Sequence, residues 1–270
     1  MKLVALLVVA ACGQPKPEPA PPPAPAPVVA TPVTEVTGLP ADAELGEIAI
    51  MPTPTRDLGS WIPEGAFPIL VEGALREGMG PPPSWLAIDA AGAETTLTYG
   101  TVVKLPYGCD NGQLTASKLD GVSAKLSPGL LWLRPTSHAA WAPTPAKLVE
   151  VPGAKADRRA YQVGDGRIDV VRQQPTRGVV TIVWKRARHV LPFARSEMEG
   201  ADTKAPMDLT TPGVGQPVPE AAWSFAGGDA VLIVFRVPGY EGVQFTTVVL
   251  GAATAREVRA MGPYLYQCAF

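Results

Sequence analysis

Only two stretches of this 270-residue chain have a composition that reads as helical, Glu72 to Met79 and Ala253 to Met261, and neither is long enough to build a helical layer. The body therefore has to be made of sheet. Its clearest strand is Thr96 to Leu105, where a period of two puts Leu97, Tyr99, Thr101, Val103 and Leu105 on one face and Thr96, Thr98 and Lys104 on the other. Pro106 ends that strand, and Asp110-Asn111-Gly112 supplies turn chemistry before a return through Leu114 to Lys118. Glu47 to Met51 is the first folded strand. The second half carries a weak internal repeat: Ile168 to Arg172 turns into Val179 to Lys185, and Val231 to Arg236 turns into Val243 to Leu250. Each unit is a strand, an arginine, a proline-containing loop, a glycine six residues after the arginine and a β-branched strand, with Tyr161 or Trp223 ahead of it. The expected fold class is mainly β, an antiparallel β-sandwich-like domain with long Pro/Gly-rich loops.

At the amino end, Lys2 leads into an apolar run from Leu3 that closes on Ala10-Ala11-Cys12 and is too short to span a bilayer as a helix. That is the pattern of an export signal. The ending Val9-Ala10-Ala11-Cys12 resembles the lipobox of bacterial lipoproteins. The resemblance implies removal of residues 1–11, a lipid on Cys12 and membrane attachment through that lipid; Gly13 after the cysteine implies the outer membrane, with the protein facing the periplasm or the surface. Residues 12–40 follow as a tether, with ten prolines between Pro15 and Pro40 that favour extended polyproline II and a reach of about 85 Å. A proline-rich ligand for a partner's aromatic groove is the alternative reading of the same tract. Residues 41–270 then form a β-rich extracytoplasmic domain, with a division into two subdomains near 145–160 as the alternative.

A formal net charge of -2 with no basic run leaves no footprint for nucleic acid and no polybasic membrane patch. With Cys12 committed to lipid, Cys109 and Cys268 remain as a pair, and an oxidising envelope makes one disulfide between them the economical outcome. Closing so long a loop contributes about 5 kcal/mol in the chain-entropy model. Two reduced, buried thiols are the other reading; a catalytic thiol is the least favoured, since neither cysteine has a nearby histidine or cation in sequence.

Candidate chemistry is sparse. Tyr161 to Asp169 resembles the Asp-Gly calcium loops of integrin-type β-propeller repeats at Asp165, Gly166 and Asp169. Tyr161 and Val163 stand where that motif carries its first two aspartates, which leaves a weak cation loop of Asp165 and Asp169 at most. The only histidines, His138 and His189, are too far apart in sequence to suggest a zinc site, and Glu197 and Glu199 fall on a charged loop after Pro192. No nucleophile elbow, zinc-protease motif or phosphate loop occurs, so no catalytic set, metal set or cofactor is read. Trp61, Trp85, Trp132 and Trp141 sit beside prolines or loops; as an aromatic shelf they would hold glycan or peptide, and as core residues they would close a long-looped body. The last residues alternate and end on Phe270 like the closing strand of an outer-membrane barrel, but too few ten-residue strands exist to build one.

The expectation is a lipid-anchored lipoprotein of the cell envelope whose β domain binds or scaffolds an envelope component, a cell-wall glycan or a protein. The alternatives are an envelope hydrolase with a loop-built carboxylate site drawn from Glu197, Asp165 or Asp229, and a structural spacer. The anchor is directly testable: Cys12→Ser should abolish incorporation of labelled fatty acid and release the protein from the membrane pellet, and retained labelling would refute the lipobox.

Overall fold

The computed structural model describes residues 39–51, 68–71, 84–106, 113–121, 125–136, 143–195, 206–213, 215–238, 242–258 and 264–266. Among them the chain is antiparallel sheet, with one α-helical turn at Asp42–Leu45 and a 3-10 turn at Ala226–Gly228, so the mainly β, sandwich-like reading stands. Three sheets are stacked. The first is a six-stranded barrel made from β1 (Glu47–Met51), β2 (Ile69–Val71), β3 (Trp85–Asp89), β4 (Glu94–Pro106), β5 (Gln113–Gly121) and β6 (Gly129–Pro135), in the closed order β1-β2-β5-β4-β3-β6. The chain then lays β7 (Thr144–Pro145) on one sheet and, three residues later, β8 (Leu148–Glu150) on another. Next comes the meander β9 (Arg158–Val163), β10 (Gly166–Gln174), β11 (Arg177–Trp184) and β12 (Ala187–Ala194), which with β8 makes a five-stranded sheet. A second meander, β13 (Val218–Phe225), β14 (Ala230–Pro238), β15 (Gly242–Leu250) and β16 (Ala255–Val258), forms the central sheet with β7, and β17 (Tyr264–Tyr266) pairs the start of β15.

Burial explains the stacking. From Ala230 to Phe235 every residue of β14 is buried. An unbroken apolar run is what a strand needs when both its faces are covered. Ala230, Leu232 and Val234 face the barrel, where they join Trp223 and Phe225 of β13 against Ile48, Ile88 and Trp132 on the barrel's outer wall. Val231, Ile233 and Phe235 face the five-stranded sheet and meet Tyr161, Ile168, Val170, Val180 and Ile182. A third, smaller core fills the barrel with Met51, Trp85, Leu97, Leu119, Leu131 and Leu133. Two indole N–H groups tie the outer wall together: Trp132 donates to the Leu45 carbonyl at 2.6 Å, and Trp223 donates across the layers to the Asp89 carbonyl at 2.9 Å.

Both expected hairpins of the second half are present, as β10–β11 and β14–β15. They lie in different sheets and face each other across the shared core, the first buried on one face and the second on both. In each, the repeat's glycine is paired in register with an aromatic position on a neighbouring strand, Gly178 with Phe193 on β12 and Gly242 with Tyr266 on β17. At Gly178 a Cβ would come within 2.5 Å of both the Phe193 ring and the Val171 carbonyl, so the absence of a side chain lets the ring lie across the strand.

Two expectations are corrected. Leu97 to Leu105 do not share one face, because the register shifts between Tyr99 and Val102: Leu97 is buried in the barrel and Tyr99 packs there, whereas Val103 packs with Ala116 on the outer wall. Gly100 sits in that bulge with no room for a Cβ, which would lie 2.3 Å from Asp120. Ala253 to Met261 is not helical over its described part, since Ala255–Val258 is strand β16, paired to β15, with Val258 buried and Arg256 bonded to the Asp42 carboxylate and the Pro40 carbonyl. Glu72 to Met79 lies outside the described residues.

Because Phe235 fills the core between two sheets, Phe235→Ala should cost about 3–5 kcal/mol in urea denaturation. Val102→Ala, at a side chain that is 62% exposed, should stay within about 0.5 kcal/mol.

Candidate functional site

Cys12, Cys109, Cys268, Trp61, Trp141, His138, Glu197 and Glu199 lie outside the described residues. The other two tryptophans named for an aromatic shelf are core residues. Trp85 is buried inside the barrel, edge-on to Tyr99 with ring centroids 6.1 Å apart, and Trp132 is buried against Trp223 and Phe225. Neither offers a ring face to a ligand. Asp165 is in the exposed turn between β9 and β10, whereas Asp169 is on β10, held by the Arg167 guanidinium in a two-pronged contact of 2.8 to 3.0 Å. Asp229 follows the β13–β14 turn, where a 2.7 Å contact with the Lys185 ammonium holds its carboxyl below the ordinary range. His189 points inward from β12; burial lowers its pKa, and its Nε2 has no hydrogen-bond partner. Among the described residues no three His, Cys, Asp or Glu side chains gather as a metal site would require.

What the structure does bring together is the outward face of the five-stranded sheet. Strand alternation sends Tyr161, Ile168, Val170, Val180 and Ile182 into the core, and the residues between them outward. The register sets these in rows. One row runs Gln162, Arg167, Val183, Arg188; the next runs Ala160, Asp169, Thr181, Val190; a third runs Arg158, Val171, Val179, Pro192. Among the described residues, three of the four exposed large apolar side chains belong to this sheet: Val149 at 43%, Val183 at 39% and Val190 at 39%. The middle of the face carries Val171, Val179, Thr181, Val183 and Val190 beside the Arg167–Asp169 pair, and exposed arginines stand towards its edges at Arg158, Arg177 and Arg188. At the β9–β10 side Val151–Ala154 line a shallow depression of about 230 Å³ together with Arg158, Asp169 and Val171. Gly153 in this loop has φ of 94°.

Behind this face the sheet is pinned to the rest of the body. The buried Arg159 donates from Nη1 to the Leu209 carbonyl at 2.8 Å and from Nη2 to Glu150 at 2.7 Å, and it stacks 6.0 Å from the Tyr161 ring. Arg172 donates to the Met207 carbonyl, so two arginines of the sheet grip the segment whose Met207 and Leu209 close the end of the core. At the opposite end the Lys185–Arg186 turn is fixed to the central sheet by the Lys185–Asp229 pair and by the Arg186 N–H on the Ala252 carbonyl. The outward face is therefore carried on a backing held at both ends.

No family model matches this chain, and no curated protein or solved structure matches it either. Its chemistry is consequently read from its own residues. The face offers guanidinium donors and apolar contact on a sheet fixed at both ends, which suits binding. The arginines of this face were not among the residues the sequence pointed to, although the same period of two that marks Ile168 and Val170 as core also marks Arg167, Asp169 and Val171 as outward.

Tyr161 gives a test of how firmly that backing is buried. Burial pushes its phenol up to about 12, against the opposing pull of Arg159, and the hydroxyl has no hydrogen-bond partner. The folded state keeps this proton up to about pH 12 while the unfolded chain releases it near pH 10, so stability should fall as pH rises through that window, by about 1.4 kcal/mol per unit. Tyr161→Phe should remove this part of the alkaline loss and at neutral pH be neutral or stabilising by up to about 1 kcal/mol. Urea denaturation of both proteins between pH 7 and 12 measures the difference.

Proposed function

We propose that this protein is a lipid-anchored component of the cell envelope whose β body binds or scaffolds an envelope partner through the outward face of the five-stranded sheet. The motif Val9-Ala10-Ala11-Cys12 and the proline tract behind it support the anchor and the tether. The observation that carries the binding reading is the outward face of the sheet itself, on which Val149, Val183 and Val190 are each at least 39% exposed. A larger contiguous apolar patch rimmed by polar residues is a mark of interaction sites, and Val183 and Val190 stand on adjacent strands beside Val171 and Val179.

Strand spacing gives this face an area of about 500 Å². A standard interface takes about 800 Å² from each partner, so contact here is of the weak, reversible kind. A tether changes that balance. Confining the domain to the membrane raises its effective concentration at a partner in the same layer, and a modest contact then suffices for occupancy.

A photo-crosslinking residue placed at Val183 of the full chain in intact cells tests the reading, with the same residue at Val102 on the barrel as the reference. Adducts should form at Val183 and be at least tenfold weaker at Val102. No adduct at Val183 above the level at Val102 would remove the sheet face as the contact surface.

A further inference from the structure

We infer that the occupant of this sheet face is a protein surface whose rim is acidic. The inference rests on the reading of the face as the contact surface and adds the chemistry of what covers it.

The arginines carry the argument. Of those among the described residues, Arg159, Arg167, Arg172, Arg236 and Arg256 have their guanidinium groups engaged by carboxylates or backbone carbonyls, and Arg134 and Arg195 have partners as well. The four without a partner for the side chain are Arg158, Arg177, Arg186 and Arg188, and all four belong to the five-stranded sheet or its β11–β12 turn. Arg158, Arg177 and Arg188 stand on the outward face itself, on three different strands and in three different rows. By strand and residue spacing they are about 10 to 20 Å apart, a frame around the Val171–Val179–Val190 floor. The one carboxylate inside the frame, Asp169, is already neutralised by Arg167. A face with net positive charge and unpaired cationic side chains at its edge is complementary to carboxylates from outside the chain.

The floor decides the class of partner. Glycans bind flat surfaces largely by stacking on aromatic rings, and the outward residues of β9–β12 are Val, Thr, Ala, Pro, Gln, Arg and Asp169, with no ring other than the proline's. Aliphatic side chains bounded by arginines match the anatomy of a protein interface, with an apolar centre and a charged rim where arginine is enriched. Rim charges of this kind act mainly on the rate of encounter and on choice of partner, and they weaken with added salt.

The test uses the full chain in intact cells with the photo-crosslinker at Val190. The triple charge reversal Arg158→Glu, Arg177→Glu and Arg188→Glu should lower adduct yield at least tenfold, and Arg→Lys at the same three positions should keep it within about threefold. The mass added to the chain in the adduct should withstand glycan hydrolases, and mass spectrometry should identify it as an acidic protein. Melting of the purified variants within a few degrees of the parent confirms the fold; should the triple Glu variant fail to fold, the triple Arg→Gln variant replaces it, with a loss of at least fivefold expected. Undiminished yield after charge reversal overturns the acidic rim while leaving the contact surface standing. An adduct whose added mass is removed by a glycan hydrolase overturns the protein partner. Absence of any adduct at both Val183 and Val190 removes the underlying reading.

Discussion

Two-sided burial of β14 is the constraint on which the rest of this structure depends. A strand that shows apolar side chains on both faces cannot rest against one layer, so it forces the chain to supply two. The barrel supplies one through the outer faces of β1, β3 and β6, and the meander β9–β12 supplies the other. The barrel consequently needs an apolar wall outside as well as a core inside, which accounts for the alternation of Leu131 and Leu133 inward with Leu130 and Trp132 outward along β6. The five-stranded sheet needs only one apolar face. Its other face is free to carry different chemistry, and the arginines stand there.

How much of this was legible in the sequence follows from the range of the interactions involved. Hairpins are local, and their periodicity and turn residues sit within a few tens of residues, so β1, β10–β11 and β14–β15 could be read directly. The layer order is set by contacts such as the Trp223 indole on the Asp89 carbonyl, 134 residues apart, and no local pattern records it. The unbroken run Val231 to Phe235 held the clue that its strand lies between two layers. Where one residue resets the pattern, periodicity misleads: the bulge at Gly100 turns Val103 to the opposite wall from Leu97. Ala253 to Met261 fails as a helix for a related reason, since pairing of Ala255–Val258 with the exposed edge of β15 outweighs helical propensity over so few residues.

The candidate site was harder to read than the fold. Tryptophans drew attention because they are chemically conspicuous, yet Trp85 and Trp132 are spent on packing and on joining layers. Arginines spread at intervals along four strands look like ordinary surface charge until the register puts them around one floor. The sheet that carries them is held at one end by Arg159 and Arg172 and at the other by the Lys185 turn, so the face is preformed and contact loses little to ordering.

Native-state hydrogen exchange measures the central claim most directly. If the sheet containing β14 fuses the layers into one cooperative body, amides of Val231 to Phe235 open only by global unfolding, and those of β6 and β11 open with free energies within about 1 kcal/mol of it. Exchange of β11 through a separate opening several kcal/mol easier, with β14 and β6 still protected, would show the layers to be independent and would contradict the account.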